Sequence, residues 1–153
     1  FEDYSYASVS GEIQFKDKFV FVLMPEDNCR EITTMFSFYT WNDPGDHRHL
    51  INRHIPVKLN GIETTAEVLT ILPATDGLKY VFSLGTYPIN EYIIISHKLY
   101  EEDKKYEIEI VDGLNFKAAK YFDITINRWE LKNFLPSIDE AVKICKEISY
   151  KPI

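Results

Sequence analysis

Residues 90–113 read NEYIIISHKLYEEDKKYEIEIVDG, and the fold turns on how that stretch is taken. In its second half Tyr106, Ile108 and Ile110 alternate with Lys105, Glu107, Glu109 and Val111. A period of two, apolar against charged, marks a strand with one wet face. In its first half Ile93, Ile95 and Leu99 share one parity, and Tyr92, Ile94, Ser96, Lys98 and Tyr100 share the other. The run Ile93 to Ile95 is β-branched throughout, which suits a pleated surface and crowds a helix. Glu101, Glu102, Asp103 and Lys104 supply a polar reversal. The stretch therefore predicts two strands joined by a charged turn. His97 falls on the parity of Ile95 and Leu99, which predicts an interior imidazole with a hydrogen-bond partner.

The rest of the chain extends this pattern. Tyr4, Tyr6 and Ser8 alternate with Ser5, Ala7 and Val9 up to Gly11, and Lys16-Asp17-Lys18 reads as a polar turn. Phe19 to Met24 is a continuous apolar run, which predicts a strand covered on both faces. Ile32 to Trp41 is a long, aromatic strand closed by the turn Asn42-Asp43-Pro44-Gly45-Asp46. Ile55, Val57 and Leu59 lead into Asn60-Gly61, and Asn-Gly is the strongest short hairpin signal because both turn residues accept positive φ. Ile62 to Leu72 returns, and Asp76-Gly77 turns the chain into Tyr80, Phe82 and Leu84. Beyond Asp112-Gly113, Leu114 and Phe116 are short-strand candidates, and Lys117 to Lys120 reads as a loop or a single helical turn. Phe122, Ile124 and Ile126 alternate; Trp129 and Leu131 then change parity, which predicts a bulge near Asn127-Arg128.

The C-terminal segment has another period. Ser137-Ile138-Asp139-Glu140 has the form of a capping box, and Ile138, Ala141, Val142, Cys145 and Ile148 recur at helical spacing. Some nine strands followed by one helix predict a mainly β protein. Its expected form is an antiparallel meander making a β-sandwich or an open barrel, with one C-terminal amphipathic helix packed on it. The 153 residues suit a single β-rich domain, with strands over about 4–131 and the helix over about 137–149.

Composition limits the partners. The 17 basic and 24 acidic residues leave a formal charge of -7, which disfavours nucleic acid and favours a basic partner protein. No run approaches the about 20 apolar residues of a membrane-spanning helix. The two cysteines differ in setting. Cys29 lies in a polar turn and is the better reactive thiol, and Cys145 lies on the apolar helical stripe; two buried or free thiols are the default expectation and a single bridge is the alternative. The compartment is open too: periplasmic or secreted if a signal peptide was removed ahead of Phe1, otherwise cytoplasmic.

No motif set names a family or a reaction. Gly-x-Ser-x-Gly is missing, and the 6 glycines are dispersed, so neither a nucleophile elbow nor a phosphate-cradling loop is present. His47, His49 and His54 fall beside Asp43 and Asp46, the residue types of a zinc site. Trp41 with Arg48 and Arg53, and Trp129 with Arg128, pair ring and cation as interface anchors do. Glu101, Glu102 and Asp103 form an acidic patch suited to a basic surface.

The first functional expectation is therefore a non-catalytic protein-binding module, of the inhibitor or immunity-protein kind that neutralises a basic enzyme or toxin. Its binding residues would be Trp41, Arg48, Arg53, Glu101, Glu102, Asp103 and Trp129. One alternative is a metal-dependent enzyme or metal-binding protein that holds zinc through His47, His49 and His54. The other is a β-sandwich that binds carbohydrate or another small ligand on Trp41 and Tyr39.

Overall fold

A computed structural model describes residues 5–149. The chain forms strands β1 (Ser5–Ser10), β2 (Lys18–Leu23), β3 (Glu31–Thr40), β4 (His54–Leu59), β5 (Ile62–Ala74) and β6 (Gly77–Pro88). Helix α1 (Ile89–Glu102) follows, then β7 (Lys105–Ile110), the short helix α2 (Ala118–Tyr121), β8 (Ile126–Glu130) and helix α3 (Phe134–Ser149). The opening strand expected from Tyr4 is present over its described part; Tyr4 itself lies outside the described residues.

The eight strands among the described residues make one antiparallel sheet in the order β1-β2-β3-β6-β5-β4-β7-β8. The sheet curls into a nearly closed barrel, which is the open-barrel form of the expected architecture. β4, β5 and β6 are laid in reverse, so that β6 docks on β3 and β4 on β7. The seam between first and last strands is joined at the β1–β2 loop, where Glu12 N donates to Arg128 O at 2.8 Å. Antiparallel alternation sends the loops 11–17, 41–53 and 111–125 to one end of the barrel. Both α1 and the start of α3 lie at the other.

The interior is aromatic. Phe19, Phe21, Phe36, Phe38, Tyr80, Phe82, Phe122, Trp129 and Phe134 are all below 2 % exposed. Phe36 stacks on Phe82 at 4.7 Å, and Phe38 meets Trp129 edge-on at 6.4 Å. Helix α3 buries Ile138, Ala141 and Cys145 against β1 and β2, while Lys143, Lys146 and Glu147 face solvent, as its spacing predicts.

Several expectations are corrected. Residues 89–102 are helical, so the stretch that opens the sequence reading is half helix and half strand. Ile89, Tyr92, Ile93, Ser96, Leu99 and Tyr100 form a stripe at i, i+3, i+4, i+7 that faces the barrel, and this outweighs the β preference of three isoleucines. β7 is the strand its alternation predicts, but its partners are β4 and β8. His97 is exposed on the outer side of α1, not interior. β2 is fully buried on one face and partly on the other.

β8 pairs with β7 in continuous register from Ile126 to Glu130, with no bulge at Asn127-Arg128. The parity change arises because the strand starts only at Ile126 and turns Asn127 and Trp129 inward. Leu114 and Phe116 make no strand; a single bridge joins Gly113 to Phe116, and Lys117 to Lys120 lead into the one helical turn of α2. α3 begins at Phe134, after the 3-10 turn Leu131–Asn133, so Ser137 and Glu140 are interior helical residues and not a capping box. Pro136 is tolerated in the first turn because its missing N–H would have no intrahelical acceptor there.

The cysteines are bridged: Cys29 and Cys145, 116 residues apart, form a disulfide with Cα atoms 6.1 Å apart. Cys29 is 4 % exposed, so it is not the accessible thiol its polar neighbours suggested. The bridge ties α3 to the loop between β2 and β3.

Candidate functional site

The histidines do not converge. His47 Nε2 lies 3.8 Å from Asp43 Oδ1, and His49 Nδ1 lies 3.1 Å from Asp46 Oδ1, each pair local to the β3–β4 loop. His54 opens β4 on the outer face of the sheet, with Nδ1 3.5 Å from Thr65 Oγ1. Among the described residues no three His, Cys, Asp or Glu side chains gather in a group fit for a metal. His54, Glu67 and Ser83 do lie in a row across β4, β5 and β6. The carboxylate occupies the middle of that row, however, so the imidazole is not set beside the serine hydroxyl as nucleophile activation requires.

Of the proposed anchors, Trp129 is fully buried and cannot meet a partner; it is a core residue. Its neighbour Arg128 points Nε toward Glu107 at 3.8 Å. Trp41 is 64 % exposed and stands edge-on to Tyr39 at 6.0 Å, with Lys16 Nζ 4.7 Å from the Tyr39 ring. Arg48 and Arg53 are exposed on the same loop. These groups lie at the opposite end of the barrel from Glu101, Glu102 and Asp103, so the expected residues do not form one surface.

Two of these acidic residues, Glu102 and Asp103, by contrast, sit on a formed groove. α1 crosses the barrel end with Tyr92, Ser96 and Leu99 turned inward. Facing it are Tyr106 at the start of β7, Leu59 and Ile62 flanking the β4–β5 turn, and Leu131 and Phe134 before and within α3. Two adjoining spaces result. The inner one, about 160 Å³, is lined by Tyr87, Tyr92, Ile95, Ser96, Leu99 and Tyr106. The outer cleft, about 450 Å³, shares Leu99 and Tyr106 as walls and carries Asn60, Glu63, Glu102 and Asp103 on its rim.

The rim is fixed by the hairpin turn. Asn60 takes φ 48° and Gly61 φ 84°, as Asn-Gly predicts. Asn60 Oδ1 accepts from Glu107 N at 2.6 Å, while Asn60 Nδ2 donates to Asp103 Oδ2 at 3.2 Å and Lys105 O at 3.3 Å. One side chain therefore holds the turn, β7 and the end of α1 together.

Two features of this groove are not explained by stability. The last turn of α1 holds no basic residue and ends in Glu101, Glu102 and Asp103. Negative charge at the negative end of a helix dipole is unfavourable, by about 0.3–1 kcal/mol per group. The nearby cations are directed elsewhere: Lys104 Nζ lies over the Tyr100 ring at 4.3 Å, and Lys105 Nζ meets Glu12 Oε1 at 3.2 Å. Among the described residues no basic side chain lines either space.

The second feature is phenolic. Burial pushes the Tyr92 hydroxyl well above the usual phenol range; Tyr106 and Tyr87 push the same way, and a hydrogen bond with Ser96 opposes them. Burial, then Tyr87, likewise holds Tyr106 above that range. Both stay protonated and able to donate at neutral pH. Tyr87 Oη donates to Leu84 O at 2.8 Å. The Tyr106 hydroxyl has no hydrogen-bond partner among the described residues, although its ring is packed against Phe19 and Phe134.

Sequence reasoning found the acidic rim and missed the rest. Tyr92, Ser96, Leu99 and Tyr106 come together only when residues 89–102 coil, and the signal available was the helical spacing of those residues. Among the described residues no helix is long and apolar enough to cross a membrane. No family model, no curated protein and no solved structure matches this chain.

Proposed function

We propose that this domain is a non-catalytic protein-binding module, and that the groove between α1 and the β4–β5 hairpin receives a basic segment of its partner. The observation that carries this reading is the acidic rim of an apolar groove that no basic side chain lines, with Glu102 and Asp103 placed where the helix dipole disfavours them. The formal charge of -7 supports the same choice of partner, through long-range attraction of a basic protein. The exposed Ile62, at 72 %, offers apolar contact at the lip. Neutralising a basic enzyme or toxin is one use of such a surface. The Cys29–Cys145 bridge supports an encounter in an oxidising compartment.

Selection from a random-peptide phage library tests this reading. The expected result is enrichment of peptides rich in Lys and Arg. Those peptides should lose binding at high salt and on the combined substitution Glu63→Gln, Glu102→Gln, Asp103→Asn. Enrichment of peptides without basic residues, or binding indifferent to the three substitutions, overturns it.

A further inference from the structure

We infer that the tyrosine-lined space beneath α1 is an anchor pocket for one apolar side chain of single-ring size, on a partner segment whose neighbouring Lys or Arg lies in the acidic outer cleft. The inference rests on the reading of that cleft as a recognition site and specifies what the site takes.

Size comes first. A space of about 160 Å³ matches one benzene-sized group. Lining comes next: Tyr87, Tyr92, Ile95, Leu99, Leu131 and Phe134 give an apolar wall with no carboxylate or cation inside, so the pocket itself suits a ring or a branched aliphatic group and not a bare charge. The third point is connection. Leu99 and Tyr106 line both spaces, so an apolar group inside and a cation outside can belong to one short stretch of ligand.

The Tyr106 hydroxyl supplies a donor at the junction of the two spaces. The Tyr106 ring packs on Phe19 and Phe134 while its hydroxyl stays open to the groove, so an acceptor on a ligand can take the place of water there. A peptide carbonyl beside the anchor supplies such an acceptor. The mouth is already apolar: Ile95, on its edge, is 48 % exposed.

The test uses two probes with the same ring and opposite charge, 2-phenylethylammonium and phenylacetate. Each is titrated into the intact domain while the Tyr92 and Tyr106 ring resonances are followed by NMR. The ammonium probe should shift both rings saturably and bind roughly tenfold more tightly than the carboxylate. Ser96→Leu, which fills the pocket, should abolish the shifts. Ile95→Arg, on the half-exposed face of the helix and therefore tolerated by the fold, should weaken the ammonium by placing a positive charge at the mouth. Tyr106→Phe should weaken binding while leaving the ring packing intact.

Equal affinity for the two probes, saturation without movement of Tyr92 and Tyr106, or ammonium binding unchanged by Ile95→Arg overturns the inference. Failure here is separable from failure of the broader reading. If selected basic peptides need Glu102 and Asp103 but bind Ser96→Leu as well as the parent, the pocket is not an anchor site and the binding module stands. If the ammonium probe behaves as expected while selected peptides ignore the acidic residues, the pocket stands and the protein-binding reading falls.

Discussion

Asn127 Nδ2 donates a hydrogen bond to Asp17 Oδ2 at 2.9 Å, and this pair joins the β1–β2 loop to the last strand across the seam of the barrel. Both residues are fully buried. Asn127 Oδ1 accepts from Ile13 N at 2.9 Å and from Arg128 N at 2.8 Å, and its amide also donates to Gln14 O at 2.9 Å. Asp17 Oδ1 accepts from Tyr39 N at 2.7 Å and from Gln14 Nε2 at 2.8 Å. The seam is therefore closed by two buried polar side chains rather than by a strand ladder. A Cβ on Gly11 would land on the Asn127 amide, so the close approach of loop and strand requires glycine there.

Asp17 gives the folded state an inverted pH response. Burial pushes its carboxyl up to about 6, against N–H donors from Tyr39, Asn127 and Gln14, and Asp123 adds to the rise. A folded value above the unfolded one means that the native chain binds the proton more tightly. This group's contribution is therefore fully present below about pH 4 and is lost as pH rises to about 6, on the order of 2–3 kcal/mol in all. Urea unfolding between pH 4 and 7 should show that falling slope in the parent and a flatter one in Asp17→Asn. The variant should also be less stable by about 1–3 kcal/mol, since its amide faces a donor. A slope unchanged by the substitution would count against the buried carboxyl.

Removing the disulfide should be costly. The Cys29–Cys145 bridge closes a loop of 116 residues of sequence separation. Constraint of the unfolded chain by such a loop is worth about 2–5 kcal/mol. Cys29→Ala/Cys145→Ala should unfold at correspondingly lower urea than the parent under non-reducing conditions. Dithiothreitol should lower the midpoint of the parent alone.

The two tryptophans should separate cleanly by fluorescence. Trp129 is fully buried and Trp41 is 64 % exposed. Trp41→Phe should leave a blue-shifted emission that acrylamide barely quenches. Trp41→Ala should change stability by no more than about 0.5 kcal/mol, and Trp129→Ala should cost about 3–5 kcal/mol.

Position 94 reports on the helix. Ile94 is 68 % exposed on the outer side of α1. Ile94→Lys should be nearly neutral, within about 0.5 kcal/mol. Ile94→Pro should cost about 3 kcal/mol or more, because it removes an interior hydrogen bond and clashes with the preceding turn. A proline tolerated at this position would contradict a helix over 89–102.

Strand alternation was legible wherever one face of a strand is wet, as in β7, and so was the Asn60-Gly61 turn, because their causes lie within a few residues. The apolar stripe of α3 was legible for the same reason. Helix α1 was not. Its three isoleucines favour a strand locally, and only the barrel end it covers makes the stripe of Tyr92, Ser96 and Leu99 the winning pattern. Asp17 read as a surface turn residue because its acceptors' partners, Tyr39 and Asn127, stand 22 and 110 positions away.

By itself the sequence determined the class, mainly β with a C-terminal helix, and the sign of the surface charge. Hydrophobic period and formal charge are sums over neighbouring residues, and need no fold to be read. Tertiary structure alone decided the strand order, the closed seam, the bridge and the groove. Each depends on groups brought together from distant parts of the chain, and a pocket exists only in the space between elements that no single segment contains.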